Sequence, residues 1–376
     1  MKISAADALD LRTRSLLLRA HPAGSPGDVA GIVEWFGAMQ AQDLASGQWS
    51  LGARLPGSTL ADVTAALERR EAIRTWPMRG TVHLVPPADA HWMLDLMGVR
   101  ALAGAAKRRA FLGLDERTAE RSVEVLGAAL AGGNRLTRSQ CMAALADAGV
   151  EVEGQLGYHL LWYASQRGVT CIAPNIGKEQ TFVLLDEWVP APRRPTREEA
   201  LGIIALRYFR SHGPAPRKDF VGWTGLTVTD AKAGIAAAGS ALATVEVDGA
   251  EMIADAALLD AGTDRLDAAT VDRGDEWWAL PGFDEFLLGY KDRSLMVDDD
   301  HKQAIIPGGN GVFRATIVRA GRVVATWTRT LGRSAVAVDV VPLVALRAGE
   351  RRRAEQALEP YAAFHGRPLR VRWPQS

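Results

Sequence analysis

One pattern recurs three times along this chain and constrains its fold more than any other feature: a helix, a short polar turn, a second helix, then two short strands. The first occurrence spans about residues 5–90. A helix covers about Ala6–Arg19, and Ser25-Pro26-Gly27-Asp28 opens the next, with proline at an early helical position and aspartate in the first turn. Val29, Ile32, Val33, Phe36 and Met39 fall at i, i+3, i+4 spacing, which predicts an amphipathic helix ending in Met39-Gln40-Ala41-Gln42-Asp43. Thr59-Leu60-Ala61-Asp62 opens a further helix to Arg70, and Ile73–Trp76 with Thr81–Val85 form a strand pair.

The second occurrence, about 115–188, has Thr137 as a helix N-cap with Gln140 at the capping-box position, a helix over Gln155–Arg167, and a ribbon of Val169–Ala173 and Thr181–Leu185. The third, about 196–258, starts on the capping box Thr196-Arg197-Glu198-Glu199 and ends in a hairpin turning at Asp248-Gly249. Pro190-Ala191-Pro192-Arg193-Arg194-Pro195 is a stiff linker between the two. Beyond about 275 short strands dominate, with a tight hairpin at Ala320-Gly321 and a charged helix within Pro342–Phe364. Helices followed by a β-ribbon are the layout of a winged helix, a module that docks on DNA. The predicted fold class is therefore α+β: three tandem winged-helix units followed by a small C-terminal β-barrel-like domain. Their ranges are 1–112, 113–190, 196–265 and 275–376.

Composition narrows the function. A hydrophobic content of 48% with 23% charged residues is that of a globular protein rather than a disordered one. No apolar run reaches the roughly 18 residues of a membrane span, and Met1-Lys2-Ile3-Ser4 lacks a signal-peptide core, so a cytoplasmic protein is expected. Cys141 and Cys171 read as buried free thiols, and the seven histidines form no metal-ligand pair, so no metal is expected. The 44 basic and 44 acidic residues cancel, which argues against a generic nucleic-acid coat. The basic residues are nevertheless clustered, at Arg12/Arg14/Arg19, Arg100/Lys107/Arg108/Arg109, Arg135/Arg138, Arg193/Arg194/Arg197 and Arg217/Lys218.

Gln40 and Gln42 are the candidate catalytic pair. An amide is no general base at neutral pH, yet it can hold a water and hydrogen-bond a sugar or base. That suffices only where the leaving group is already activated. Asp43 is a candidate base, or equally a helix cap or arginine partner. Arg79, Thr81 and His83 alternate onto one face of their strand, with Arg79 suited to a phosphate and His83 to a place near the lesion or the glutamines. Arg217 and Lys218, with Arg319 and Arg322 flanking the Ala320-Gly321 hairpin, are candidate DNA contacts. The neighbours Asp284 and Glu285 read as packing rather than a catalytic carboxylate pair. No nucleotide-binding fingerprint is present, and no cofactor is expected.

Four segments together, in order, resemble the winged-helix bacterial DNA glycosylases of the AlkZ/YcaQ type. They are Gln40-Ala41-Gln42, Trp76-Pro77-Met78-Arg79-Gly80-Thr81-Val82-His83-Leu84, Phe283-Asp284-Glu285-Phe286-Leu287-Leu288-Gly289-Tyr290, and the Gly308–Thr316 region. The resemblance implies three winged helices and a β-barrel wrapped around duplex DNA. It implies monofunctional excision of N7-alkylated purines and unhooking of interstrand crosslinks. It implies a Gln-x-Gln motif at Gln40 and Gln42, similar to the branch linked to self-resistance against genotoxic natural products. The expected partner is duplex DNA carrying alkylated purines, and the expected enzyme is a nucleoid-associated monomer. The competing expectation is a non-catalytic winged-helix transcriptional regulator.

Overall fold

Most helix starts follow from side chains that satisfy first-turn N–H groups. Ser4 and Asp7 form a capping box on α1 (Ala5–Ser15), and Asp28 caps α2 (Val29–Phe36). α3 is Leu44–Gly52, and α4 is Leu60–Glu68 behind a Thr59–Asp62 box. Further helices, short single turns apart, are α5 (Val99–Phe111), α6 (Glu116–Leu130), α7 (Arg138–Asp147), α8 (Leu156–Gln166), α9 (Arg197–His212), α10 (Arg217–Thr224), α11 (Val228–Ala238) and α13 (Ala348–Phe364), and one of the single turns, α12 (Glu285–Leu288), matters below. Thr137–Gln140 and Thr196–Glu199 are capping boxes as the sequence predicts.

The structure, a computed structural model, describes residues 1–21, 24–260, 276–309 and 311–374. The expected boundary at 265–275 lies outside them. Strands are β1 (Lys2–Ile3), β2 (Met39–Gln40), β3 (Ile73–Met78), β4 (Thr81–Val85), β5 (Leu136–Thr137), β6 (Thr170–Ile176), β7 (Glu179–Leu184), β8 (Leu242–Val247), β9 (Ala250–Asp255), β10 (Trp277–Leu280), β11 (Ala315–Arg319), β12 (Arg322–Leu331), β13 (Val336–Pro342) and β14 (Leu369–Arg372). The chain clusters into two compact units. One joins Met1–Val63 and Leu201–Trp223 to the described residues from Thr227 on; the other is Thr64–Ala200 with Thr224–Leu226.

In the second unit, β3 pairs antiparallel with both β4 and β6, and β7 pairs with β6 and β5. The strand pair of the first repeat is thus not a free two-stranded ribbon but shares a sheet with that of the second. Behind it, Leu126 and Leu130 of α6, Cys141 and Leu145 of α7, and Leu160 and Leu161 of α8 form one core with Phe182. Burial pushes the free thiols of Cys141 and Cys171 up to about 12 each, so both are inert packing groups.

In the first unit, β1 adds in parallel to the β8–β9 hairpin, whose turn is Asp248-Gly249 with both φ angles positive (48° and 78°). The C-terminal strands form an open sheet in the order β10-β11-β12-β13-β14, which corrects the expected barrel. α13 links β13 to a parallel β14 and covers the sheet, with Tyr361 against Trp327 and Trp49 at ring separations of 5.0 and 5.1 Å. A helix that buries the sheet face removes the need for the edges to meet. The N-terminal basic cluster is structural: Arg12 is buried, donates to the Pro214 carbonyl at 2.8 Å and lies 4.3 Å over the Tyr290 ring. Arg14 and Arg19 both pair with Asp10.

The guanidinium of Arg54 grips Asp284 through two bonds of 2.8 and 2.9 Å, with both side chains sealed from water. Arg54→Ala leaves that carboxylate uncompensated and is expected to cost about 3–5 kcal/mol. Equilibrium denaturant unfolding measures this.

Candidate active site

α2 stops three residues earlier than its apolar stripe. Gly37, at φ +76°, caps it, so Met39–Gln40 is extended rather than helical. The sequence carries that stop, since a glycine in the left-handed region is a common helix terminator. Arg210 donates to the carbonyls of Glu34 (3.1 Å) and Trp35 (3.0 Å), satisfying the open end of α2. Trp35, Trp49 and Trp76 are all core residues.

The glutamine segment is held at three points in the first unit. Arg210 fixes the helix before it. At Gln40, the backbone N–H donates to Glu285 Oε1 at 3.0 Å. Glu285 is wholly buried, and its other oxygen accepts from Trp223 Nε1 (2.9 Å) and His212 Nε2 (3.3 Å). After the glutamines, Asp43 accepts from Ser46 Oγ (2.6 Å) and Arg329 Nη2 (2.8 Å). Gly47 permits the next helix to lie close, because a Cβ there would stand 2.8 Å from that of Ala41. Gln40 is 8% exposed, whereas Gln42 is open to solvent.

Burial raises the Asp43 carboxyl, but the Ser46 hydrogen bond and the Arg329 guanidinium outweigh it and hold its pKa below the ordinary 3.8. Asp43 is thus an ion-paired anion at neutral pH and a weak base. Neither Glu285 nor Arg329 has any local sequence signal for this arrangement. Glu285 lies 245 residues from Gln40, and Arg329 lies 286 residues from Asp43.

Arg79, Thr81 and His83 belong to the second unit. Arg79 occupies the β3–β4 turn at φ 55°, ahead of the strand rather than in its alternation. The structure still brings it to His83: Arg79 Nη2 lies 3.1 Å from His83 Nε2, and His83 Nδ1 lies 2.8 Å from the Thr81 carbonyl. A guanidinium only donates and a carbonyl only accepts, so Nδ1 carries the hydrogen and Nε2 accepts. Thr81 contributes its carbonyl here, and His83 is buried.

Among the surface cations, Arg217 and Lys218 are exposed at the start of α10, and Lys218 pairs with Asp292 at 3.0 Å. The Ala320-Gly321 tip does not project. Gly321 is buried against Leu9 of α1, Arg319 pairs with Glu350 at 2.6 Å, and Arg322 pairs with Asp298. Among the described residues no helix is long and apolar enough to cross a membrane.

Residues 33–364 match the sequence profile of the family described as "DNA glycosylase AlkZ-like". The chain is 28% identical over 340 residues to a Streptomyces sahachiroi protein named "Interstrand DNA cross-link repair glycosylase", covering 87% of this chain and 88% of that one. The solved structure of Streptomyces sahachiroi DNA glycosylase AlkZ superposes with a TM-score of 0.78 at 22% identity, over 99% of this chain and 100% of that one.

Two expectations follow from the clamps. Glu285→Gln places an amide NH2 against one of the three N–H donors, at an expected cost of about 1–3 kcal/mol in urea unfolding. For Asp43, the folded pKa is depressed, so its stabilisation is complete above 3.8 and is lost as pH falls through the lower folded value. Asp43→Asn should therefore lower stability at pH ~7 and lose that deficit at acid pH, as paired unfolding curves would reveal.

Proposed function

The chain belongs to the AlkZ-like DNA glycosylase family, and from that premise we propose that it is a monofunctional DNA glycosylase excising N7-alkylated purines from duplex DNA. The observation that carries this reading is the clamped Gln40-Ala41-Gln42 segment: two amides held beside an ion-paired aspartate, with Gln42 open to solvent. Such groups suit a reaction whose leaving group needs no acid. Alkylation at N7 puts a positive charge on the purine. As the bond from C1′ to N9 breaks, its electron pair returns to the base and quenches that charge. The sugar passes through an oxocarbenium-like state, water adds at C1′, and its proton leaves to solvent.

In this reading one glutamine orients the attacking water and the other contacts the deoxyribose or lesion. The Asp43 carboxylate stabilises the developing positive charge on the sugar. Arg79, Thr81 and His83 form a supporting group, with Arg79 towards a phosphate. The segments 1–112, 113–190 and 196–265 act as winged-helix modules on the duplex, and Arg217 and Lys218 are backbone contacts. The relative named for interstrand cross-link repair supports extending the substrate to crosslinks. A bulky crosslink cannot enter a tight base-flipping pocket, so the site is read as an open channel.

Gln40→Ala and Gln42→Ala are each expected to abolish excision while leaving duplex affinity unchanged. A duplex with a single N7-methylguanine, incubated with protein and then treated with alkali, reports excision as strand cleavage. Full cleavage by the double variant would sink the assignment. Sequence-specific retention of undamaged DNA without cleavage would favour the regulator.

A further inference from the structure

α5 carries a basic stripe with one protruding aromatic ring, and none of the roles above uses it. Arg100, Gly104, Lys107 and Phe111 recur at i, i+4, i+7 and i+11, so they share one face of the helix over about 16 Å. Phe111 is 78% exposed, the Arg108 guanidinium stands 5.1 Å from its ring, and Lys107 and Arg108 are both exposed. The opposite face is already committed: Ala105 is buried, Leu102 packs on the core, and Arg109 turns inward over the Tyr163 ring at 5.0 Å.

The charge on the outer face is not cancelled. α5 contains four basic residues and no acidic one. Arg100 donates to the Gly225 carbonyl and Arg108 to the Gln155 side-chain oxygen, and neither acceptor is charged. Gly104, in the middle of the stripe, has nothing within 4 Å of where a Cβ would stand, so a backbone could approach closely there.

We propose that this face of α5 is a duplex-DNA contact, in which Arg100, Lys107 and Arg108 meet consecutive phosphates and Phe111 wedges against a sugar or base step. The proposal rests on the DNA-acting reading above. Cations spaced along a helix neutralise phosphates without reading sequence, and a lone apolar side chain beside them is the device by which groove-binding proteins pry at a step. An anionic membrane is the poorer fit, because an interfacial helix needs a broad apolar face and that of α5 already packs inward.

Binding of the full chain to a lesion-free duplex, titrated across salt concentrations, tests this. Lys107→Ala/Arg108→Ala is expected to flatten the log affinity against log salt plot by about 0.9 for each phosphate that is no longer neutralised. Phe111→Ala is expected to weaken binding about tenfold at every salt concentration without changing the slope, as removal of a stacking aromatic ring does. Because the altered side chains are exposed, melting temperatures should match wild type. Wild-type affinity and slope in both variants would overturn the proposal while leaving the glycosylase reading intact. Retention of wild type but not the variants on phosphatidylserine vesicles, with unchanged duplex binding, would overturn it in favour of a membrane. Failure of wild type to bind duplex at all would overturn both readings.

Discussion

A single buried carboxylate holds the candidate site together. Glu285 receives the N–H of Gln40, the indole of Trp223 and the imidazole of His212, and so ties the glutamine segment to α9, α10 and α12 at one point. Desolvating a carboxylate is costly, and three donors are what make it tolerable. Such a hub is geometrically exacting, because the donors share two oxygens in a dry interior, Gln40 on one and Trp223 with His212 on the other. The neighbouring Asp284 repeats the device with Arg54, so consecutive acidic residues fasten α3 and the strand before it to the C-terminal part of the unit.

These fastenings suit weak functional groups. An amide contributes by being in the right place, and its usefulness falls quickly once it is free to wander. Here the chain is fixed before the glutamines by Arg210, at Gln40 by Glu285, and after Gln42 by Arg329. Gly47 then allows α3 to pack against the back of Ala41. The result is a rigid backbone beneath an exposed Gln42 side chain, with the Asp43 charge already paired.

Local features were legible in the sequence and distant ones were not. Thr137, Thr196 and Asp248-Gly249 have local signatures because capping and tight turns are decided within four residues. The glutamine pair stood out for the same reason, as a polar interruption following an apolar stripe. Met39 misled because its burial continues the helical period, although Gly37 had already ended the helix. Glu285 and Arg329 could not be read, since no spacing rule connects residues more than 200 positions apart. The open sheet was hidden for a related reason. Alternation shows that a strand has two faces, but not whether a helix such as α13 or another strand covers one of them.

The arrangement of the first unit also has a history built into it. Its N-terminal part is translated first, yet the groups that hold it come from residues 210, 285 and 329. At about 5–20 residues per second, Arg329 leaves the ribosome roughly 15–60 seconds after Gln40. Within that interval the second unit's residues are all made, and the glutamine segment gains its clamps one at a time, Arg210 first and Arg329 last. A chain cut short before Arg329 would carry both glutamines and still lack the clamp on Asp43.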